Sequence, residues 1–169
     1  MTYDEATGRH EGAAACLASL EARGQTLGTA ESLTAGLVAA TFATVPGASN
    51  VLRGGIAAYA VDVKTDVLGA DPDVIARHGV YSRECAVAMA VAARATLRCD
   101  WSVATTGVAG PDPDDGHPAG EVHVAVAGPD AVVASRRLDL AGTRQQIRTG
   151  SVDAVIGLLH ETLRAHDGR

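Results

Sequence analysis

A chain of 169 residues, 47% of them hydrophobic, is about one domain long and can bury a real core; with aromatics at 3%, that core must be Ala, Val, Leu and Ile. A net charge of −6 argues against a nucleic-acid surface, which is normally basic, and no apolar run is long enough to span a bilayer. The three cysteines, Cys16, Cys85 and Cys99, are odd in number, widely spaced and without a CxxC pair, so they read as small buried hydrophobes rather than disulfide or zinc partners.

Residues 1–11 are polar and acidic, unlike a signal peptide. They are expected to be a flexible leader to a single cytoplasmic domain over residues 12–169. From Ala13 the apolar residues fall at helical spacing up to Gly24, a plausible helix stop. TLGTA (26–30) reads as a short strand and LTAGLVAATFATV (33–45) as a helix closed by Pro46-Gly47. VLRGGIAAYA (51–60) is strand-like, with two glycines that permit a bulge or a close backbone approach. Residues 62–69 and 71–79 read as short helical pieces, the second with Asp71 as cap and Pro72 at the first helical position.

The clearest helix is SRECAVAMAVAARATLRC (82–99), with Ser82 as N-cap and Glu84 in the first turn. WSVATTG (101–107) is a strand running into a glycine loop. Residues 121–128 and 131–140 alternate as two strands joined by Gly128-Pro129-Asp130, and 143–165 read as a long amphipathic helix with Thr143 as possible cap. Strands and helices alternate early and a hairpin comes late. The pattern predicts an α/β fold, a three-layer α/β/α sandwich around a mixed, mostly parallel sheet.

Ser32 lies where a strand hands over to a helix. Unpaired N–H groups at a helix start can stabilise an anion or a developing oxyanion, which suits a serine nucleophile. Serine is also a favoured helix cap, and that competing reading stays open. Lys64 is the only lysine in the chain; every other basic side chain except histidine is arginine. An arginine cannot serve as a base near neutral pH, whereas a lysine with a lowered pKa can, and a serine–lysine pair is a recognised way to activate a hydroxyl. A solvated lysine is the alternative.

Tyr59, five positions before Lys64, is placed to orient base or substrate, or simply to pack with its hydroxyl at a rim. Thr106, Gly107 and Gly110 form a strand exit where backbone can approach a ligand, without a dinucleotide or Walker fingerprint. Arg144 and Arg148, four apart, share one helix face and suit a phosphate or a solvated face. Asp112, Asp114 and Asp115 lack ligand-spaced partners, and His117 and His123 do not share a helix turn, so no metal site is expected.

Six stretches occur in an order that resembles one family: AES-x-T-x-G (30–36), VPGAS (45–49), GGIAAYA-x-x-x-K (54–64), RHGVYS (77–82), TGVAGP (106–111) and G-x-R (142–144). Together they resemble the CinA C-terminal domain family, the nicotinamide-nucleotide amidohydrolases. The resemblance implies an α/β/α domain, working without metal or organic cofactor and forming homo-oligomers. It implies hydrolysis of the carboxamide of nicotinamide mononucleotide to nicotinic acid mononucleotide and ammonia. Carried over by position, Ser32 is the expected nucleophile, Lys64 the base and Tyr59 the tyrosine beside it. Thr34, Gly36, Thr106, Gly107 and Arg144 are expected to bind the substrate. No nucleic acid or membrane partner is expected, and the chain is expected to be the stand-alone form.

The family usually reads AESCTGG where this chain has AESLTAG. Ala35 fits if that residue is helical and is strained if it needs positive φ. The loop PDPDDGHPAG is more acidic than its glycine-rich family counterpart. These departures leave two other readings beside the deamidase: a catalytically inactive nucleotide-binding or oligomeric module, and an amidase for another small amide.

Overall fold

The structure, a computed structural model, describes residues 3–4 and 9–167. Residues 1, 2 and 5–8 of the expected leader lie outside the described residues. The remainder of that stretch pairs β1 (Tyr3–Asp4) antiparallel with β2 (Arg9–His10) and enters α1 (Glu11–Ala22). His10 caps α1: its Nδ1 accepts from the Ala13 amide at 3.2 Å, and its Nε2 lies 2.9 Å from Asp153 Oδ1.

Five strands form the main sheet: β3 (Leu27–Glu31), β4 (Leu52–Ala57), β5 (Trp101–Gly107), β6 (Glu121–Ala127) and β7 (Val133–Asp139), in the order β4-β3-β5-β6-β7. β3 pairs in parallel with both β4 and β5, and the β5–β6 and β6–β7 pairs are antiparallel. Only β6 therefore runs against the rest, as the mixed, mostly parallel reading requires. Helices α1, α2 (Leu37–Ala43) and α5 (Arg144–Asp167) cover one face. On the other lies α4 (Arg83–Leu97), backed by α3 (Pro72–His78).

The two faces of the sheet differ in side-chain size. Leu27, Trp101, Val103, Val122, Val124 and Val126 point toward α1, α2 and α5. Ala30, Ala104, Ala125 and Ala127 point the other way, against Ala86, Met89, Ala90 and Ala93 of α4. Small groups on both sides let α4 lie close to the sheet. A Cβ on Gly28 would stand 2.7 Å from Leu97 Cδ1 and 2.8 Å from Cys99 Sγ. A chain with so few aromatics thus reaches close packing by bringing the layers together instead of filling them with rings.

The strands β4, β3 and β5 are neighbours, run in parallel and end on the same side of the sheet. In open α/β sheets the crevice outside the carboxyl ends of such strands is where ligands bind. Three of the predicted site segments lie there: Ser32 directly after β3, Tyr59 two residues after β4, and Thr106-Gly107 at the end of β5.

Candidate active site

Ser32 is still in register with the sheet, its amide donating to the Thr105 carbonyl at 2.9 Å. The helix expected from residue 33 begins only at Leu37, so Ser32 is not its cap. Residues 32–36 form a turn in which Ala35 (φ 52°) and Gly36 (φ 97°) take left-handed backbone. The physical reason is Glu31. Its buried carboxylate accepts from the amides of Gly36 and Val38 at 2.9 Å and Ala39 at 2.8 Å, all at the start of α2. It also accepts from the hydroxyls of Thr29 at 3.0 Å and Thr34 at 2.8 Å. A carboxylate at a helix N-terminus is favoured by the helix dipole and satisfies its orphan donors. The amides at the start of α2 are therefore already occupied by a side chain.

Arg148 meets the same turn from α5, its Nε donating to the Leu33 carbonyl at 3.0 Å and its other arm to the Thr34 carbonyl at 2.8 Å. Its guanidinium is used inside the protein and does not join Arg144 in facing a ligand. The Leu33 amide has no acceptor among the described residues, and Leu33 lines the pocket described below.

Lys64 sits on a π-helical turn, Val63–Val67, an irregularity common at functional sites. Only 2% of its surface is exposed. Its Nζ lies 3.1 Å from Ser32 Oγ, 2.8 Å from the Ala58 carbonyl and 2.9 Å from the Tyr59 carbonyl. Burial pushes the amine below the ordinary lysine range, opposed by the nearby Cys85 thiol. A neutral amine has two N–H groups and one lone pair. In that form the two carbonyls take the N–H groups and the lone pair faces the serine hydroxyl; in the ammonium form the third N–H donates to Ser32 Oγ.

Ser32 and Lys64 open into a cavity of about 360 Å³, also lined by Tyr59, Tyr81, Arg144 and the segment from Gly107 to Asp112. Arg144 donates to the Gly110 carbonyl and the Tyr59 hydroxyl, both at 2.8 Å. Gly107 (φ 147°) has no room for a side chain: a Cβ would lie 2.4 Å from the Glu121 carbonyl oxygen. Tyr81 donates to Asp114, which also lines the cavity; burial first and Asp114 second push the phenol up to about 12.

The model of the CinA C-terminal domain matches residues 9–163. The chain belongs to the CinA C-terminal domain family. A CinA-like protein of Frankia casuarinae is 44% identical over 147 residues, covering 87% of this chain and 34% of its own length. A putative competence-damage inducible protein of Geobacillus kaustophilus is 44% identical over 134 residues, 78% of this chain and 32% of its own. The chain thus spans about a third of these curated relatives. Among solved structures, the competence/damage inducible protein CihA from Agrobacterium tumefaciens superposes with TM-score 0.86 at 30% identity, covering 90% of this chain and 93% of its own. A CinA superfamily protein from Klebsiella pneumoniae gives TM-score 0.87 at 27% identity, covering 92% and 98%.

In this CinA domain the predicted residues divide into two groups. Ser32, Lys64, Tyr59, Gly107 and Arg144 line one cavity. Thr34, Gly36 and Thr106 do not. Thr34 and Gly36 are bound to Glu31, and the buried Thr106 hydroxyl donates to the Val80 carbonyl at 2.6 Å. Three residues at the site had no role in the sequence reading: Glu31, Arg148 as a holder of backbone, and Tyr81. An acid at a strand end, five residues before a glycine, is the feature of the sequence that marks Glu31, and the sequence reading did not use it. Among the described residues no group of three or more His, Cys, Asp or Glu side chains can hold a metal, and no helix is long and apolar enough to cross a membrane.

Proposed function

We propose that this CinA domain hydrolyses the carboxamide of nicotinamide mononucleotide, with Ser32 as nucleophile and Lys64 as base. The observation that carries the reading is the contact between a buried lysine of lowered pKa and a serine hydroxyl at 3.1 Å, both lining one cavity. Ser32 Oγ attacks the amide carbon as its proton passes to Lys64 Nζ. The Leu33 amide, next after the nucleophile and without an acceptor among the described residues, is the candidate donor to the oxyanion. Lys64 then gives the proton to the departing amine, releasing ammonia and leaving an ester on Ser32. Water attacks that ester, Lys64 takes its proton, and the carboxylate product leaves as Ser32 is reprotonated.

Arg144 and Tyr59, bonded to each other at the same cavity, are suited to the substrate's phosphate, since guanidinium groups bind phosphate through paired N–H donors. The cavity volume lies within the usual range for small-molecule sites. Ammonia release from nicotinamide mononucleotide, measured for the wild type and Ser32→Ala, tests the reading. Release by the wild type that is lost in the variant supports it. Binding of the nucleotide by both proteins with release from neither supports a non-catalytic module instead. Release from other small amides alone supports a different amidase.

A further inference from the structure

Ser32 is tied to the sheet through its amide, and the turn that follows it carries two backbone hydrogen bonds of its own, from the Ala35 amide to the Ser32 carbonyl at 3.1 Å and from the Leu37 amide to the Thr34 carbonyl at 3.2 Å. Ala35 and Gly36 are both left-handed, and left-handed backbone at a non-glycine residue persists only where surrounding contacts over-determine it. Two charged side chains supply most of those contacts, beside a meeting of the Thr34 and Thr105 hydroxyls at 2.7 Å. Glu31, 1% exposed, ties the segment to the first amides of α2 and to the Thr29 and Thr34 hydroxyls. Arg148 reaches across from α5 and takes the Leu33 and Thr34 carbonyls. The two grips sit on successive peptide units of one turn. Each peptide is planar and trans, so holding the Leu33 carbonyl orients the whole 33–34 peptide unit, and the Leu33 amide and Ser32 are then set through the backbone torsions of the one residue between.

We propose that Glu31 and Arg148 are positioning residues that act together on this turn, setting where Ser32 Oγ points relative to Lys64 Nζ and the Leu33 amide. The proposal rests on the hydrolase reading in taking Ser32 as the nucleophile. Neither residue is among those lining the cavity, so neither acts by touching the substrate. Their effect falls on orientation, where a misplacement of about 1 Å at the reacting group costs about a hundredfold in rate.

The test uses Arg148→Lys, which keeps the charge but loses the two-armed donation, and Glu31→Gln, which keeps the size but turns an acceptor into a donor facing other donors. Each is measured well below its melting temperature, with folded fraction checked by circular dichroism. Two rates are read. One is ammonia release from nicotinamide mononucleotide, separated into kcat and KM. The other is labelling of Ser32 by a fluorophosphonate, in which the Oγ–P bond forms, the P–F bond breaks, fluoride leaves and Lys64 takes the hydroxyl proton. That second rate needs no assumption about the natural substrate.

Positioning predicts a kcat and a labelling rate about 10- to 100-fold lower with KM nearly unchanged. It also predicts a double variant little worse than the poorer single one, because both act on one turn. Arg148→Lys alone decides the matter if Glu31→Gln does not fold. Variants that fold and label at the wild-type rate overturn the proposal. So does a double variant whose losses multiply. If the wild type is labelled but releases no ammonia, and labelling slows in the variants, the positioning proposal stands and the substrate assignment falls. If the wild type is neither labelled nor active, both fall.

Discussion

The Lys64 amine and the Ser32 hydroxyl, 32 positions apart in the chain, meet at 3.1 Å beside the ends of two neighbouring parallel strands. Because burial holds the amine below the ordinary lysine value of about 10.4, its neutral fraction grows as pH rises and saturates above the folded value. We expect kcat/KM for carboxamide hydrolysis to climb along a single acid limb with its midpoint below 10.4. Lys64→Arg cannot lose its proton in this range. It should abolish the limb and lower kcat by about a hundredfold or more. A pH–rate profile in Lys64→Arg that matches the wild type rules out lysine as the base.

The lowered pKa also enters folding stability, with a definite sign. Unfolded Lys64 keeps its proton to about pH 10.4, whereas the folded form gives it up earlier. Between the two values the unfolded state binds more protons, so stability rises with pH; below the folded value the cost of the buried ammonium is present in full. Lys64→Met does not titrate. The wild-type minus Lys64→Met difference in urea unfolding free energy should therefore increase through that window, by about 1.4 kcal/mol for each pH unit that separates the folded and unfolded values. A difference that stays flat with pH would mean that the folded amine titrates like a free one.

Arg144 and Tyr59 form a pair, and their removal should weaken binding more than chemistry. Loss of a charged hydrogen-bond partner is worth about 1.5–3 kcal/mol, so Arg144→Ala should raise KM for nicotinamide mononucleotide by about 10- to 150-fold with a much smaller change in kcat. Tyr59→Phe removes only a neutral partner of Arg144 and should raise KM by about tenfold or less. A large loss of kcat with KM unchanged in Arg144→Ala would place the arginine at the reacting centre instead.

How far the site could be read in the sequence follows from what each residue does. Lys64 stood out because a solitary lysine among arginines is a compositional fact, and its partner Ser32 lay at a strand end where parallel-sheet proteins place their chemistry. The layers were legible because strands and helices alternate along the early chain and a hairpin follows. Where α2 begins was not. Cap preferences put a helix directly after Ser32, but they describe a residue in isolation. Here Glu31, one position earlier, takes the helix amides from inside the strand, and the chain needs five further residues to come round. Arg148 was singled out with Arg144, but its hold on backbone was not read, for a related reason. Its spacing from Arg144 says that they share a helix face, but not that one reaches backbone while the other lines a cavity.

The cysteines give a chemical check on the packing of both layers. Cys16, Cys85 and Cys99 are all buried and free, and burial pushes their thiols up, to about 12 for Cys16 and about 11 for the other two. The thiolate is the reactive form, so at neutral pH the native protein should react with a disulfide reagent far more slowly than a free thiol does. In denaturant all three should react at the ordinary rate. Fast reaction of Cys85 in the native state would show that the start of α4, beside Lys64, opens to solvent.

Ala35 separates the cost of the Ser32 turn from its control. Its left-handed backbone (φ 52°) costs an L-residue about 1–2 kcal/mol relative to the right-handed form, a cost that glycine does not carry. Glycine gives back about 0.5–1 kcal/mol through its greater freedom in the unfolded chain. The Ala35 side chain is exposed, so little packing is lost. Ala35→Gly should therefore stabilise the protein by about 0.5–1 kcal/mol, raising Tm by about 1–4 °C for a chain of this size. Activity should stay within about twofold of the wild type, because the aim of Ser32 is set by Glu31 and Arg148 rather than by the methyl group at residue 35. A lower Tm would show that the turn is not left-handed at Ala35. A gain in Tm with a large loss of kcat would show that the methyl itself restrains the turn, with the two side-chain grips too weak to hold it alone.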